Sequence, residues 1–155
     1  MLADTVTIRA IQPDDRELWL TLWHAYNAFY EVGVSEEVTE STWTRLLDRD
    51  SPIGCIVAED DETGCLLGFI NFVIHPRTWS THDSCYLEDL YVDASTRGHG
   101  VGRRLCEALQ AYCTDQGFSQ IYWHTKEQNE TARKLYDKIA KKDDFVRYVM
   151  PLSFA

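Results

Sequence analysis

The chain has 155 residues, of which 45% are hydrophobic and 26% are charged, and its formal net charge is −10. These proportions are typical of a globular protein with a substantial core, and we expect one domain spanning residues 1–155. General binding of nucleic acid is disfavoured, because it requires a basic face. No apolar stretch reaches the length of a membrane span, and the first ten residues lack the apolar run of a signal peptide. We therefore expect a cytoplasmic protein that binds no membrane.

Alternating and helical patterns of apolar residues predict the elements of the first half. A strand is predicted over Thr5–Ile11, followed by a helix from Pro13 that carries a stripe of aromatic residues. A second helix is predicted over Glu37–Asp48. The segments Cys55–Glu59 and Cys65–Ile74 are separated by a polar turn, which indicates an antiparallel hairpin.

The second half alternates strands with helices, which is typical of a βαβ arrangement. A strand over Cys85–Val92 completes an antiparallel meander, and a helix runs from about Val101 to Gln116. The next strand, Ser119–Thr125, should be parallel to the strand before that helix. A last helix is predicted over Asn129–Ala140, followed by a last strand over Phe145–Leu152. The fold class predicted is therefore α/β with a mixed, mostly antiparallel sheet.

A glycine-rich loop joins the strand Cys85–Val92 to the helix at Val101. Its glycines alternate at Gly98, Gly100 and Gly102, so backbone amides can approach a ligand without side chains in the way. The unpaired amides and the positive dipole end of the following helix predict a site for a phosphate-like anion. The loop lacks the Lys of a P-loop and the glycine spacing of a dinucleotide fingerprint. The arginines beside it are Arg97, Arg103 and Arg104.

A second motif, Asn-x-x-Ala-x-x-x-Tyr, runs from Asn129 to Tyr136. Together with Arg-x-x-Gly-x-Gly over Arg97–Gly102, it makes the chain resemble the GNAT superfamily of acyl-CoA N-acyltransferases, over Thr5–Leu152. The resemblance is closest to the histone and polyamine acetyltransferase branch. The segments that carry this closer resemblance are Tyr86–Val92, Tyr122–Thr125 and Asp144–Tyr148.

The resemblance implies a GNAT-type sheet with a splayed parallel central pair, flanked by about four helices, and acetyl-CoA as cosubstrate. In such enzymes the pantetheine arm pairs with the backbone of the central strand, and the pyrophosphate lies on the glycine loop. Carried over to this sequence, Asn129 would hold the pantetheine arm and Tyr136 would point at the thioester sulfur. The implied cofactor-binding residues are Leu90, Tyr91, Val92, Arg97, Gly98, His99, Gly100, Val101, Gly102, Arg103, Asn129 and Tyr136.

Attack of an amine on a thioester needs a proton acceptor, because an alkyl ammonium has a pKa of about 10.4. Glu88 is our candidate base, acting through a water molecule; the alternatives are a substrate anchor or a surface charge. Asp89 is the weaker candidate. Tyr136 is our candidate acid for the leaving thiolate, and its alternative is a packing role. Strand alternation predicts Glu88, Leu90 and Val92 on one face, and Leu87, Asp89 and Tyr91 on the other.

The acceptor is predicted to be the primary amine of a small cationic molecule, either a polyamine or an amino-acid-like compound. Acetylation of protein Lys or N-terminal amines is the alternative, and a non-catalytic acyl-CoA-binding module is a third hypothesis. Aromatic rings with carboxylates suit an alkyl ammonium, although they equally suit a structural rim. Spacing of the histidines predicts no metal site. The candidate acceptor residues are Tyr26, Tyr30, Glu31, Trp79, Asp83 and Glu88.

The C-terminal segment departs from the family pattern. Most members end in a β-hairpin introduced by Gly-Phe, whereas here Asp144-Phe145 leads into one predicted strand with a short tail. Either the sheet is one strand short, or a partner subunit completes it. Because an unpaired apolar edge strand is unstable alone, we expect a homodimer that pairs or exchanges C-terminal strands.

Overall fold

The computed structural model describes residues 5–154, which fall into two compact units, residues 5–124 and residues 125–154. The first unit contains one five-stranded sheet and three of the helices, and the second contains a helix and the C-terminal segment. No helix within residues 5–154 is long and apolar enough to cross a membrane.

The sheet has its strands in sequence order, and all pairs are antiparallel except the last, which is parallel. This confirms the predicted mixed, mostly antiparallel fold class. Edge strands are shorter than the central ones, as is usual in sheets that avoid edge-to-edge aggregation. The strands are β1 (Val6–Ala10), β2 (Ile53–Asp60), β3 (Leu66–His75), β4 (Ser84–Val92) and β5 (Gln120–Tyr122).

Helix boundaries agree with the sequence signals. The Ser35 hydroxyl accepts a hydrogen bond from the Val38 amide at 3.2 Å, which caps the second helix. The first helix follows a short 3-10 turn over Pro13–Asp15, and the third ends at Gly117. The helices are α1 (Arg16–Phe29), α2 (Glu36–Leu47), α3 (Val101–Gln116) and α4 (Glu130–Ile139).

The two faces of the sheet carry different helices. Phe69 of β3 lies with its ring centroid 6.3 Å from that of Trp23 on α1, whereas the Phe72 ring lies 5.5 Å from Tyr112 on α3. Because these two phenylalanines are an odd number of positions apart, they point to opposite faces. The sheet of the first unit is therefore sandwiched between α1 and α2 on one side and α3 on the other.

A β-bulge in β4 changes which side chains share a face. Asn71 pairs with Asp89 but the next residue of β3, Phe72, pairs with Leu87, so Glu88 is an extra residue in β4. Before the bulge, Cys85 lies against Cys113 of α3.

After the bulge, the Tyr91 ring lies 5.7 Å from Tyr26 of α1. Cys85 and Tyr91 would share a face in a regular strand, and here they do not. The predicted alternation is therefore wrong across Glu88: Asp89 and Tyr91 face α1, whereas Leu87 shares the α3 side with Cys85.

The prediction of a strand over Phe145–Leu152 is also wrong. Residues 141–154 contain no strand, and Phe145 and Tyr148 are 81% and 92% exposed. Alternating apolar residues favour a strand only where a neighbouring strand accepts and donates its backbone hydrogen bonds. The five-stranded sheet supplies no such partner within the part of the chain that the structure describes.

A charged cluster fixes the start of α1 to the sheet. The Arg9 guanidinium on β1 donates to both carboxylate oxygens of Asp15 at 2.7 and 2.8 Å, and to Glu59 on β2 at 2.7 Å. Asp15 is 5% exposed and also accepts from the Gln12 amide at 2.8 Å. The hydrogen bonds from Arg9 hold the pKa of Asp15 below its ordinary value.

Replacing Asp15 should destabilise the protein in a pH-dependent way. Asp15→Asn leaves the Arg9 charge partly buried without its main partner, so the free energy of unfolding at pH 7 should fall by about 3 kcal/mol. Because the folded-state pKa is depressed, this contribution is present above the unfolded pKa of about 3.9 and is lost as the pH falls below it. Urea unfolding of both proteins between pH 7 and pH 3 measures the difference.

The neighbouring Asp14→Asn variant is the control, because Asp14 is exposed. If both variants lost the same free energy of unfolding at every pH, the ion pair between Arg9 and Asp15 would not stabilise the protein as described.

Candidate active site

The two parallel strands of the sheet are joined over a short distance only. Residues Ser84–Tyr86 of β4 pair with Gln120–Tyr122 of β5, while β3 pairs with β4 along nearly its whole length. Residues 87–92 of β4 therefore have no strand on their β5 side among residues 5–154. This leaves a gap in the sheet where an extended ligand could pair with backbone, and Leu90, Tyr91 and Val92 border it.

The glycine loop lies at the end of the same strand. Gly98 and Gly100 have φ values of 84° and 80°, in the left-handed region that other residues avoid. A Cβ atom built on either one would meet no heavy atom within 4 Å, so the space above the loop is open. Glycine is thus required here by backbone conformation, and the open surface is free for a ligand.

The N-terminus of α3 opens onto this loop. Gly100 precedes the helix without a side-chain cap, and the Arg104 amide donates to the Gly100 carbonyl at 3.1 Å. The amides before Arg104 have no intrahelical acceptor, so they present donors together with the positive end of the helix dipole. This arrangement suits a phosphate group.

Of the three arginines near the loop, Arg97 is the one best placed for an anion. Arg103 pairs with Glu107 at 3.1 Å, and Arg104 donates to the Val6 carbonyl at 3.0 Å. Arg97 has no carboxylate partner among residues 5–154, and its Nε donates to the Val92 carbonyl at 3.0 Å.

The Arg97 guanidinium also lies over two aromatic rings. Its central carbon is 5.0 Å from the centroid of Phe29 and 5.5 Å from that of Tyr91. These contacts hold the side chain while leaving its charge uncompensated by a carboxylate. The loop residues therefore fit the pyrophosphate of coenzyme A.

A cavity of about 190 Å³ lies on the α1 and α2 side of the sheet, next to the bulge. In a regular strand, two consecutive residues such as Glu88 and Asp89 would point to opposite faces of the sheet. Because of the bulge, both carboxylates line the same cavity. Other lining residues include Trp23, Thr42, Arg45 and Asn71.

Asp89 is the more enclosed of the two carboxylates. The Tyr26 hydroxyl donates to its Oδ1 at 2.5 Å, and the Asn71 Nδ2 donates to its Oδ2 at 3.1 Å. Burial raises the pKa of Asp89, and the two hydrogen bonds oppose that shift without cancelling it. Burial beside this carboxylate also raises the pKa of Tyr26, which keeps the phenol protonated as a donor. The sequence favours Glu88 over Asp89, but a partly buried carboxylate with a raised pKa at a cavity is also a functional candidate.

Asn71 is a site residue that the sequence reasoning missed. It is 3% exposed, and its Nδ2 must be the atom that faces Asp89, because a carboxylate only accepts. Its Oδ1 is buried without a hydrogen-bond partner in the part of the chain that the structure describes. A buried oxygen without a donor costs about 1–3 kcal/mol. A lone Asn within the apolar strand β3 was the available signal.

The structure separates the predicted acceptor residues into two groups. Tyr26 and Tyr30 lie together, with ring centroids 5.0 Å apart, and Glu31 follows with a left-handed φ of 55°. Trp79 is 85% exposed, and the Asp83 carbonyl accepts from the Ser119 amide at 2.7 Å. Only the first group is tied to the carboxylates of the cavity, through the bond from Tyr26 to Asp89.

A cluster of tyrosines and histidines lies where β4 pairs with β5. The His75 Nε2 is 2.7 Å from the Tyr122 hydroxyl, and the Tyr86 hydroxyl is 3.3 Å from the His124 Nδ1. The rings of Tyr86 and Tyr122 are 5.1 Å apart. Burial is the main cause that raises the pKa of Tyr122, and the charge of Glu88 adds to it, so this cluster lies within electrostatic reach of Glu88. Sequence reasoning did not assign it a role.

The second unit carries the other motif. The Asn129 Oδ1 caps α4 by accepting from the Ala132 amide at 3.4 Å, and its Nδ2 lies 3.4 Å from the Thr125 hydroxyl. Tyr136 is half-buried and follows Asn129 by seven residues, two helical turns, so the two lie on one face of α4. Among residues 5–154, no group of three or more His, Cys, Asp or Glu side chains could hold a metal ion.

Blocking the glycine loop should abolish binding of coenzyme A. Gly100→Trp fills the open space above the loop and strains its left-handed backbone, removing at least two charge-assisted hydrogen bonds of about 1.5 kcal/mol each. Affinity should fall by at least about 100-fold in calorimetric titration with coenzyme A.

Gly64→Trp is the matched control, since Gly64 also has a positive φ of 73° and open space but lies in the turn between β2 and β3. Unchanged affinity in Gly100→Trp would remove the loop as the anion site.

Comparison with known proteins agrees with this geometry. Residues 19–140 match the family model described as acetyltransferase (GNAT) family. The D-amino-acid N-acetyltransferase HPA3 of Saccharomyces cerevisiae is 35% identical over 148 residues, which cover 96% of this chain and 92% of that protein.

Two solved structures share the fold. A probable acetyltransferase superimposes with a TM-score of 0.85 at 24% identity, covering 95% of this chain and 98% of that one. AAC(6')-Iy, in complex with the bisubstrate analogue CoA-S-monomethyl-acetylneamine, superimposes with a TM-score of 0.81 at 20% identity, covering 95% and 98% of the two chains. These likenesses confirm the predicted GNAT-type fold. With the family match over most of its length, the chain belongs to the GNAT family of acetyltransferases and is an acetyl-transferring enzyme.

Proposed function

We propose that this enzyme moves the acetyl group of acetyl-CoA to the primary amine of a small cationic acceptor, a polyamine or an amino-acid-like compound. The bulge in β4 is the observation that carries the proposal, because it brings Glu88 and Asp89 to one cavity. The same strand leads to the sheet gap and the glycine loop, so acceptor and cosubstrate would meet along β4. Direct attack in a ternary complex needs no covalent intermediate on the protein.

Each reacting group has a candidate partner. Glu88 accepts the proton that the amine must lose, through a water molecule. Asp89, whose pKa is raised, is the second carboxylate that contacts the same ammonium. The amine nitrogen then forms a bond to the acetyl carbon while the bond from carbon to sulfur breaks. Tyr136 donates a proton to the departing thiolate. A phenol, with a pKa of about 10, is a weaker acid than a thiol at about 8.5, but it can donate as the bond breaks.

The cosubstrate would lie along both sequence motifs. Backbone groups of Leu90, Tyr91 and Val92 pair with the pantetheine arm, Asn129 holds that arm, and Arg97–Arg103 binds the pyrophosphate. The family match over residues 19–140 supports these roles, because that range includes both motifs.

An amino-acid-like acceptor is supported by the relative named D-amino-acid N-acetyltransferase, which matches almost the full chain. We also propose a cytoplasmic location, because all five cysteines are free thiols and thiols stay reduced in the cytosol. Release of coenzyme A thiol with polyamines, amino acids and Lys-containing peptides tests the acceptor class. Activity with the small amines is expected. Activity with peptides alone would point to a protein acetyltransferase, and no thiol release with any amine would indicate a non-catalytic module.

Replacing the candidate base should change the pH–rate profile. Glu88→Gln removes the proton acceptor, so kcat/KM should fall by about 100-fold and the acidic limb of the profile should flatten. Asp89→Asn is measured beside it, and the exposed Glu62→Gln, in the turn between β2 and β3, is the control. A full acidic limb retained in Glu88→Gln but lost in Asp89→Asn would transfer the role of base to Asp89.

Replacing the candidate acid should affect turnover more than binding. Tyr136→Phe keeps the ring and removes the hydroxyl, so kcat should fall by about 100-fold while the affinity for acetyl-CoA stays the same. Tyr148→Phe in the same unit is the control, because Tyr148 is 92% exposed. An unchanged kcat would exclude Tyr136 as the acid.

We further propose a homodimer that pairs or exchanges C-terminal segments. A run of exposed apolar side chains supports this, because such a run costs free energy unless a partner covers it. We expect light scattering after size exclusion to give twice the chain mass of 17.9 kDa, and replacing Phe145 and Val149 by Glu to give a monomer. A monomeric wild type would contradict it. The exposed residues are Phe145, Val146, Tyr148, Val149, Met150, Leu152 and Phe154.

A further inference from the structure

Arg45 near the end of α2 is a cation without a carboxylate partner. Its Nε donates to the Ser41 carbonyl at 3.3 Å and its Nη2 to the Thr42 hydroxyl at 3.4 Å, both within its own helix. No salt bridge joins it to any carboxylate in residues 5–154. A guanidinium has five N–H donors, so most of its hydrogen-bonding capacity remains for a ligand. The side chain is exposed and lines the cavity.

The same cavity has acceptors for a cation. Glu88 and Asp89 line it, so an ammonium group in the cavity would meet two carboxylates. The cavity therefore combines one free cationic group with a cluster of acceptors, which is the arrangement that a zwitterion needs.

Charge separates the candidate acceptors. A polyamine is longer and would bring a second ammonium toward Arg45, where like charges repel. Arg45 thus disfavours the polyamine and favours an acceptor that carries an anion beside its amine.

We propose that the acceptor is an α-amino acid whose carboxylate is bound by Arg45 while its ammonium lies against Glu88 and Asp89. This inference rests on the proposed N-acetyltransferase function and specifies its substrate. Arg45 is a specificity residue: an arginine can bind a carboxylate through two parallel hydrogen bonds, which lysine cannot reproduce.

The test compares each amino acid with its α-amide, which keeps the side chain and the amine but removes the negative charge. For the wild type we expect kcat/KM to be about 100-fold higher for the amino acid, the effect of two charge-assisted hydrogen bonds. In Arg45→Gln, kcat/KM for the amino acid should fall by about 100-fold, mainly through KM, while the amide changes less than about threefold. Arg45→Lys should recover part of the loss.

Arg49→Gln is the matched control. It removes the same charge from an exposed residue a few positions later that does not line the cavity, and it should leave both substrates unchanged. If Arg45→Gln lowered kcat/KM equally for the amino acid and its amide, Arg45 would not bind the carboxylate. Efficient acetylation of diamines and amides by the wild type, without preference for the carboxylate, would overturn the amino-acid acceptor while leaving N-acetyl transfer intact. No thiol release with any amine would overturn the proposed function itself.

Discussion

One extra residue in β4 determines which side chains line the cavity between the sheet and helices α1 and α2. The pairing of Asn71 with Asp89, and of Phe72 with Leu87, leaves Glu88 as the bulge and reverses the facing of the strand after it. Cys85 lies against α3 before the bulge, whereas Asp89 and Tyr91 face α1 after it. Without this reversal the two carboxylates would lie on opposite sides of the sheet, and no cavity would contain both.

The same strand, β4, leads from the cavity to the glycine loop. Beyond the short pairing with β5, β4 borders the sheet gap and ends at the loop whose glycines need left-handed φ values. Arg97 links the loop to α1 through the Phe29 ring and to β4 through the Val92 carbonyl. The Arg97 guanidinium is thus held by α1 and β4, the two elements that also provide Tyr26 and Asp89 beside the cavity.

Periodicity and motifs predicted the strands, the helices and the glycine loop, because local spacing determines these features. The bulge was not predictable, since Tyr86–Val92 reads as a regular strand and only its register with β3 reveals the extra residue. Arg45 and Asn71 were missed for a related reason: they are far apart in sequence, and only the folded chain places both at one cavity. The strand over Phe145–Leu152 was wrong because an apolar pattern does not supply a partner strand.

In the proposed mechanism, the acceptor amine meets the thioester beside the bulge of β4. A crystal structure with coenzyme A and a small amino acid would test it most directly. We expect the amine nitrogen within hydrogen-bond distance of the Glu88 or Asp89 carboxylate, with the coenzyme sulfur in the gap between β4 and β5. An acceptor bound away from this cavity, or a coenzyme that does not follow β4 to the glycine loop, would contradict it.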